Sequence, residues 1–211
     1  MKKLLIGFVL LAIFFPPLGQ LAISKVSNAA SRLATGEGID EVRRWAGESG
    51  LNAQSVAGAA EDLVQREGIV ARVVDGDTIT LVDGRAVRLL QVDTPEKYGQ
   101  AECYGQKASQ VLAGLVKPGD RIRLAQDPAL DAKDRYGRLL RYVWNDTVFV
   151  NARLIVVGAA APYFVDGERG RYAEHFERYA RQARASGLGF WGDCPSVAFD
   201  PYRAVATGAA S

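Results

Sequence analysis

Three β-type runs in immediate succession, 69–74, 77–82 and 85–92, constrain this chain more than any other feature. Asp75-Gly76 and Asp83-Gly84 separate them, and both are hairpin dipeptides because a turn there needs positive φ. Charge sits where these strands begin, run and end. Val73-Val74-Asp75-Gly76-Asp77-Thr78-Ile79 holds two aspartates, and Arg88-Leu89-Leu90-Gln91-Val92-Asp93-Thr94-Pro95-Glu96 holds an arginine and two further acids.

The pairing register turns those charges into a constellation. With Asp83-Gly84 as a two-residue loop, Val82 faces Arg85, Ile79 faces Arg88 and Asp77 faces Leu90. Asp77 and Arg88 are then diagonal neighbours on one face, roughly 7–8 Å apart. Asp93 falls just past the third strand, beside the start of the second. A single bulge would flip the face. Two carboxylates at ~4 Å repel by about 4 kcal/mol at an effective dielectric of ~20. A hard divalent cation relieves that conflict, and carboxylate and carbonyl oxygens favour calcium, magnesium or manganese over zinc. The planar fork of Arg88 suits a phosphate oxygen. Each piece also has a plain reading: Asp75-Gly76 as a turn, Asp93 to Glu96 as a strand exit, Arg138 as the close of a Tyr-Gly turn.

Downstream, the spacing predicts a helix over 104–116, strands over 121–125, 139–144 and 147–150, and a helix from an Asn151 cap to Val157. A last helix is expected over 168–186, with Tyr172, Phe176, Tyr179, Ala180 and Ala183 on one apolar stripe. Five to six strands with interposed helices fit an α+β chain built on a five-stranded OB-fold barrel with about three helices. Arg171, Arg178, Arg181 and Arg184 read as a solvated helix face, with a stripe contacting a nucleic-acid backbone as the alternative. With a formal net charge of +2, no global basic field is available to hold a polyanion, so local arginines or a metal must do so. One histidine, His175, excludes a multi-histidine zinc site and paired-histidine chemistry.

The amino terminus reads as a targeting segment. Lys2 and Lys3 precede an apolar run, and residues 1–29 fit a signal peptide or, with 4–23 in a bilayer, a membrane anchor. Either reading places the body outside the cytoplasm, secreted or tethered. Residues 30–67 read as a helical spacer, 68–196 as the main domain, and 197–211 as a frayed, disordered tail. Export permits a Cys103–Cys194 disulfide closing about 90 residues, with two free thiols as the alternative.

The pieces V-V-D-G-D-T-I, R-L-L-Q-V-D-T-P-E, D-R-Y-G-R-L-L and G-L-G-F-W-G, taken in order, resemble the staphylococcal nuclease (thermonuclease) family over about residues 69–194. The resemblance implies an OB-fold enzyme that hydrolyses DNA and RNA with calcium, leaving a 3′-phosphate and a 5′-hydroxyl. By position, Asp77 and Asp93 are the implied metal carboxylates, Thr94 lends its carbonyl, and Asp75 sits in the outer metal shell. Glu96 is the implied general base or water-orienting group, and Arg88 and Arg138 grip the phosphate. At its unperturbed pKa of about 4.3 the Glu96 carboxyl is already ionised at neutral pH. Tyr163, in Pro162-Tyr163-Phe164, either stacks on substrate or packs in the core. The segment between Glu96 and Tyr104 is short where the staphylococcal enzyme carries a longer mobile loop. A monomer is expected. The competing functions are a non-catalytic OB-type binding module and a tethered interaction protein working through residues 30–67.

Overall fold

The strand runs curl into a closed barrel. A computed structural model of the chain describes residues 66–146 and 148–210, together with Arg44. The leader, the membrane reading of residues 4–23 and nearly all of the 30–67 spacer lie outside the described residues. The chain divides into two units between Arg66 and Glu67, and the second carries everything below. Among the described residues no helix is long and apolar enough to cross a membrane.

Strands β1 (Glu67–Val73), β2 (Thr78–Leu81) and β3 (Ala86–Leu89) form an antiparallel meander. β4 (Val92–Asp93), α1 (Gly105–Leu115), β5 (Arg121–Ala125), β6 (Leu139–Asn145) and β7 (Val148–Phe149) follow. β5 pairs with β1 and β6, and a parallel β3–β6 pairing closes the five-stranded barrel. Closure removes the open sheet edges that would otherwise invite association. Then come α2 (Val150–Val156), β8 (Ala161–Pro162), a 3-10 turn (Val165–Gly167), α3 (Ala173–Ala185) and the short α4 (Phe190–Asp193). α+β architecture with an OB-type barrel and three principal helices is thus realised; α4 is an addition.

Alternation fills the barrel. Val70, Ile79, Leu81, Val87, Leu89, Ile122, Leu124 and Val143 point inward and are buried. Ala108 and Leu112 of α1, Leu154 and Ile155 of α2, and Phe176 and Ala180 of α3 complete the same core. α3 starts at Ala173 rather than Glu168, because the backbone is extended at Glu168 and Arg171 N–H is bound to Asp127 Oδ2 at 2.8 Å.

Three expectations are corrected. The β2–β3 loop has three residues, not two: Leu81 N–H donates to the Arg85 carbonyl, Gly84 N–H to the Leu81 carbonyl, and Gly84 takes φ 86°. This is the type I turn followed by a left-handed residue, and it shifts the register by one, so that Thr78 faces Arg88. Asn151 does not cap α2; Phe149 does. Asn151 is fully buried and bridges elements instead, accepting Val143 N–H at 2.9 Å and donating to the Leu90 carbonyl at 2.9 Å. Residues 197–210 are not frayed. Ala198 and Ala206 pair, Val205 is 4 % exposed and Thr207 is fully buried. Their contacts are with residues distant in sequence, which local composition does not report.

Candidate active site

At the β3–β4 junction the chain reverses through Leu90 and Gln91. Gln91 adopts φ 58°, a left-handed conformation that a non-glycine residue holds only when its surroundings fix it. They do: its carbonyl accepts Tyr163 N–H, its amide donates to the Glu168 carbonyl, and its Oε1 lies 3.0 Å from the Tyr142 hydroxyl. The reversal delivers Asp93 to the mouth of the barrel, where β4 pairs with β8 and Asp93 faces Ala161.

Asp77 arrives from the β1–β2 turn. Its N–H donates to Asp75 Oδ1 at 3.1 Å, so Asp75 shapes the turn that presents Asp77. Strict alternation in the observed register would set Asp77 and Arg88 on opposite faces. Asp77 precedes the first residue of β2, however, and the long Arg88 side chain reaches past the strand end. Arg88 Nη2 lies 3.0 Å from Asp77 Oδ2 and 2.9 Å from Asp93 Oδ1. Its Nη1 is anchored on the Leu89 and Val92 carbonyls. The expected cluster therefore forms, by a different geometric route.

Thr94 is buried on Asp77: both its N–H and its hydroxyl lie 3.2 Å from Asp77 Oδ2. A Cβ at Gly76 would collide with the Thr94 hydroxyl, so this close approach requires glycine. Glu96 stands at the exposed lip of the same cleft. Its backbone is clasped reciprocally, Glu96 N–H donating to Glu102 Oε2 at 2.9 Å and Glu102 N–H to the Glu96 carbonyl at 2.8 Å. Arg138 lines the same cleft, held by Asp134 Oδ2 at 2.6 Å from its Nε. It thus closes its turn, as the plain reading held, and also faces the cleft. Tyr163 is half-buried and lines the cleft, while the neighbouring Phe164 takes the core position. The cleft is about 820 Å³ and brings Asp75, Asp77, Arg88, Asp93, Thr94, Glu96, Arg138 and Tyr163 together.

Cys103 and Cys194 do not reach it. They are joined by a disulfide, with Cα atoms 5.9 Å apart. Four features escaped sequence reasoning. Glu102 clasps Glu96, Tyr136 stands exposed on the cleft beside Arg135 and Arg138, and Gly105 packs on the Glu96 carbonyl. The fourth is the Val205 N–H, which donates to Asp93 Oδ2 at 2.9 Å across 112 residues. An acid six residues after Glu96 was a usable signal for the first; nothing local announced the last.

The electrostatics are those of an under-neutralised anionic site. Burial pushes the Asp77 carboxyl up to about 7; Arg88 pulls against it, and Asp75 and Asp93 add repulsion. Asp93 is raised by burial, against the pull of Arg88 and the Val205 N–H. Glu96 is also raised, by burial and then by Asp93, Asp75 and Glu102, so its ionisation does not follow from the unperturbed value alone. One guanidinium does not balance this many carboxyls. Among the described residues no three Asp, Glu, His or Cys side chains enclose a metal. The residues that could hold a hard cation here are Asp77 and Asp93, through carboxylate oxygens of the kind such a cation takes.

The family model described as Staphylococcal nuclease homologue matches residues 86–193. The chain belongs to this family. The matched span contains Arg88, Asp93, Thr94, Glu96, Arg138 and Cys103, and leaves Asp75, Asp77 and Cys194 just outside it. Endonuclease YncB of Bacillus subtilis (strain 168) is 30% identical over 201 residues, covering 90% of this chain and 92% of that protein. The Thermonuclease of Staphylococcus intermedius is 35% identical over 129 residues, covering 58% of this chain and 74% of that protein. The SPbeta prophage-derived endonuclease YokF of Bacillus subtilis (strain 168) is 36% identical over 126 residues, 57% of this chain; the match spans only 42% of YokF.

Proposed function

We propose that this chain is a calcium-dependent nuclease working outside the cytoplasm, which cleaves DNA and/or RNA to 3′-phosphate and 5′-hydroxyl products. Membership of the family makes it a nuclease hydrolase; calcium, products and location are the added reading. The observation that carries it is Arg88 bridging Asp77 and Asp93 at 3.0 and 2.9 Å in one cleft with Glu96 and Arg138.

The proposed roles are these. Asp77, Asp93 and the Thr94 carbonyl would hold the cation, which when bound would supply Lewis-acid polarisation of a phosphoryl oxygen. Glu96, at the open lip, takes a proton from the attacking water as its oxygen bonds to phosphorus. The bond from phosphorus to the 5′ oxygen breaks, and that oxygen takes a proton from solvent water at the open cleft to leave as hydroxyl, while Glu96 returns its proton to solvent. Arg138, held at its Nε by Asp134, would offer its remaining N–H donors to the phosphate. Arg88 Nη2 is engaged by two carboxylates, and it becomes available to a phosphate oxygen when those carboxylates are neutralised from another side. Export is supported by Lys2, Lys3 and the apolar residues 4–23, which also support membrane association, and a disulfide suits an oxidising compartment.

The test is hydrolysis of single-stranded DNA with calcium and with chelator. Glu96→Gln and Arg138→Ala are expected to lower kcat by about 10²–10³. Full activity in chelator, or wild-type rates in both variants, would refute the mechanism. Digestion of intact cells by external protease checks the location; a fully protected domain refutes it.

A further inference from the structure

We infer that residues 198–210 form a positioning element of the cleft, which sets the Asp93 carboxylate for its cation and fixes the loop carrying Glu96. The inference rests on the reading of Asp93 as a metal ligand.

Three sets of contacts carry it. The first is direct. Asp93 Oδ1 is held by Arg88, and Oδ2 accepts the Val205 N–H at 2.9 Å. One bond leaves a carboxylate free to rotate about its Cβ–Cγ axis; a second, on the other oxygen, fixes its plane and so the direction of its remaining lone pairs. Val205 is itself immobilised. Its side chain is 4 % exposed and packs with Ala161, Phe190 and Cys194, and Ala161 is the residue paired with Asp93. The Ala198–Ala206 pairing, with N–H···O distances of 2.8 and 3.1 Å, closes the segment on itself just past Val205.

The second set reaches the general-base loop. Thr207 Oγ1 donates to the Cys103 carbonyl at 2.6 Å, Cys103 N–H to the Gly208 carbonyl at 2.8 Å, and Ala210 N–H to the Ala101 carbonyl at 2.9 Å. Glu102, which pairs with Ala209, is the residue that clasps the Glu96 backbone. The third set reaches the neighbour of the cleft-lining Tyr163, where Phe164 N–H donates to the Pro201 carbonyl at 2.7 Å. One segment thus touches the supports of a metal carboxylate, a general base and a substrate-facing wall. Partners of this kind orient the ligands they bond, and their loss lowers metal affinity about 10–100-fold.

The Val205 N–H is the atom to remove. Val205→Pro deletes it while keeping an apolar ring; Val205→Ala keeps it while trimming the packing. Calcium binding to the full, substrate-free chain is measured by titration calorimetry. Val205→Pro is expected to weaken calcium binding about 10–100-fold, and Val205→Ala to leave it nearly unchanged. Should the proline variant not fold, Cys194 offers a ligation point. A synthetic 194–211 segment with an ester in place of the Ala204–Val205 amide removes the N–H alone, and the same weakening is expected. Equal calcium affinity in the ester form and the wild type overturns the inference, as does equal weakening in Val205→Ala and Val205→Pro. Wild-type chain that binds no calcium overturns the underlying metal reading instead.

Discussion

Removing the disulfide tests how far this fold depends on a single covalent bond. Cys103 lies just before α1 and Cys194 just after α4, and the bridge spans 91 residues of sequence. The chain-entropy relation for a loop of that length gives about 4–5 kcal/mol at 25 °C. That is a large share of the 5–15 kcal/mol by which domains are ordinarily stable. The bridge also anchors the start of the C-terminal segment, because Cys103 N–H and C=O both bond to it and Cys194 packs against Val205. Cys103→Ser/Cys194→Ser is therefore expected to lose the full amount, with a midpoint lowered by about 15 °C for a unit of this size. The assay is urea unfolding in chelator at pH 7 of the double variant and of wild type with and without reductant. Reduced wild type and the double variant should coincide. A loss below about 1 kcal/mol would refute the reasoning, because the entropy of a loop this long cannot be that small in the chain-entropy model.

Two further outcomes are expected. Asp127 accepts N–H bonds from Arg171 and Ala129 and lies 3.1 Å from the Tyr142 hydroxyl; these outweigh burial, which acts to raise it, and hold its carboxyl below the usual range. A depressed folded pKa contributes stability above the unfolded value of about 3.9, lost as pH falls through the folded pKa. Asp127→Asn should thus be destabilised by about 1–3 kcal/mol at pH 7, with the deficit shrinking in acid; urea unfolding at pH 7 and pH 3 checks it, and a pH-independent deficit refutes it. Gly105→Ala drives a methyl into the Glu96 carbonyl. It should lower kcat about 10²-fold by misplacing Glu96, with calcium affinity by calorimetry unchanged; wild-type kcat counts against the placement.

Much of the architecture is legible in local pattern. β5 falls at Arg121–Ala125 as read, and α1 lies within one residue of its expected ends, because alternation and helical spacing report burial directly. The acids and arginines of the cleft were also identifiable, since each sits at a turn or strand end whose chemistry is local. What failed was whatever depends on backbone geometry at one residue or on contacts across the chain. Asp83-Gly84 reads as a two-residue loop; the left-handed Gly84 closes a three-residue one, and the register moves by one. Asn151 before an apolar helix reads as a cap, yet it bonds Val143 and Leu90 from a fully buried position.

By itself, then, the sequence determined the barrel strands, the three principal helices, the fold class and the chemical identity of the groups around Arg88. Periodicity and turn chemistry are encoded within a few residues, and those suffice. Only the tertiary structure decided that Arg88 spans both aspartates from a shifted register, that Tyr163 rather than Phe164 faces the cleft, and that the residues after Cys194 return to hold Asp93. The physical reason is separation: a hydrogen bond across 112 residues leaves no periodic trace in either segment, and it exists only once the barrel and the disulfide have brought the two together.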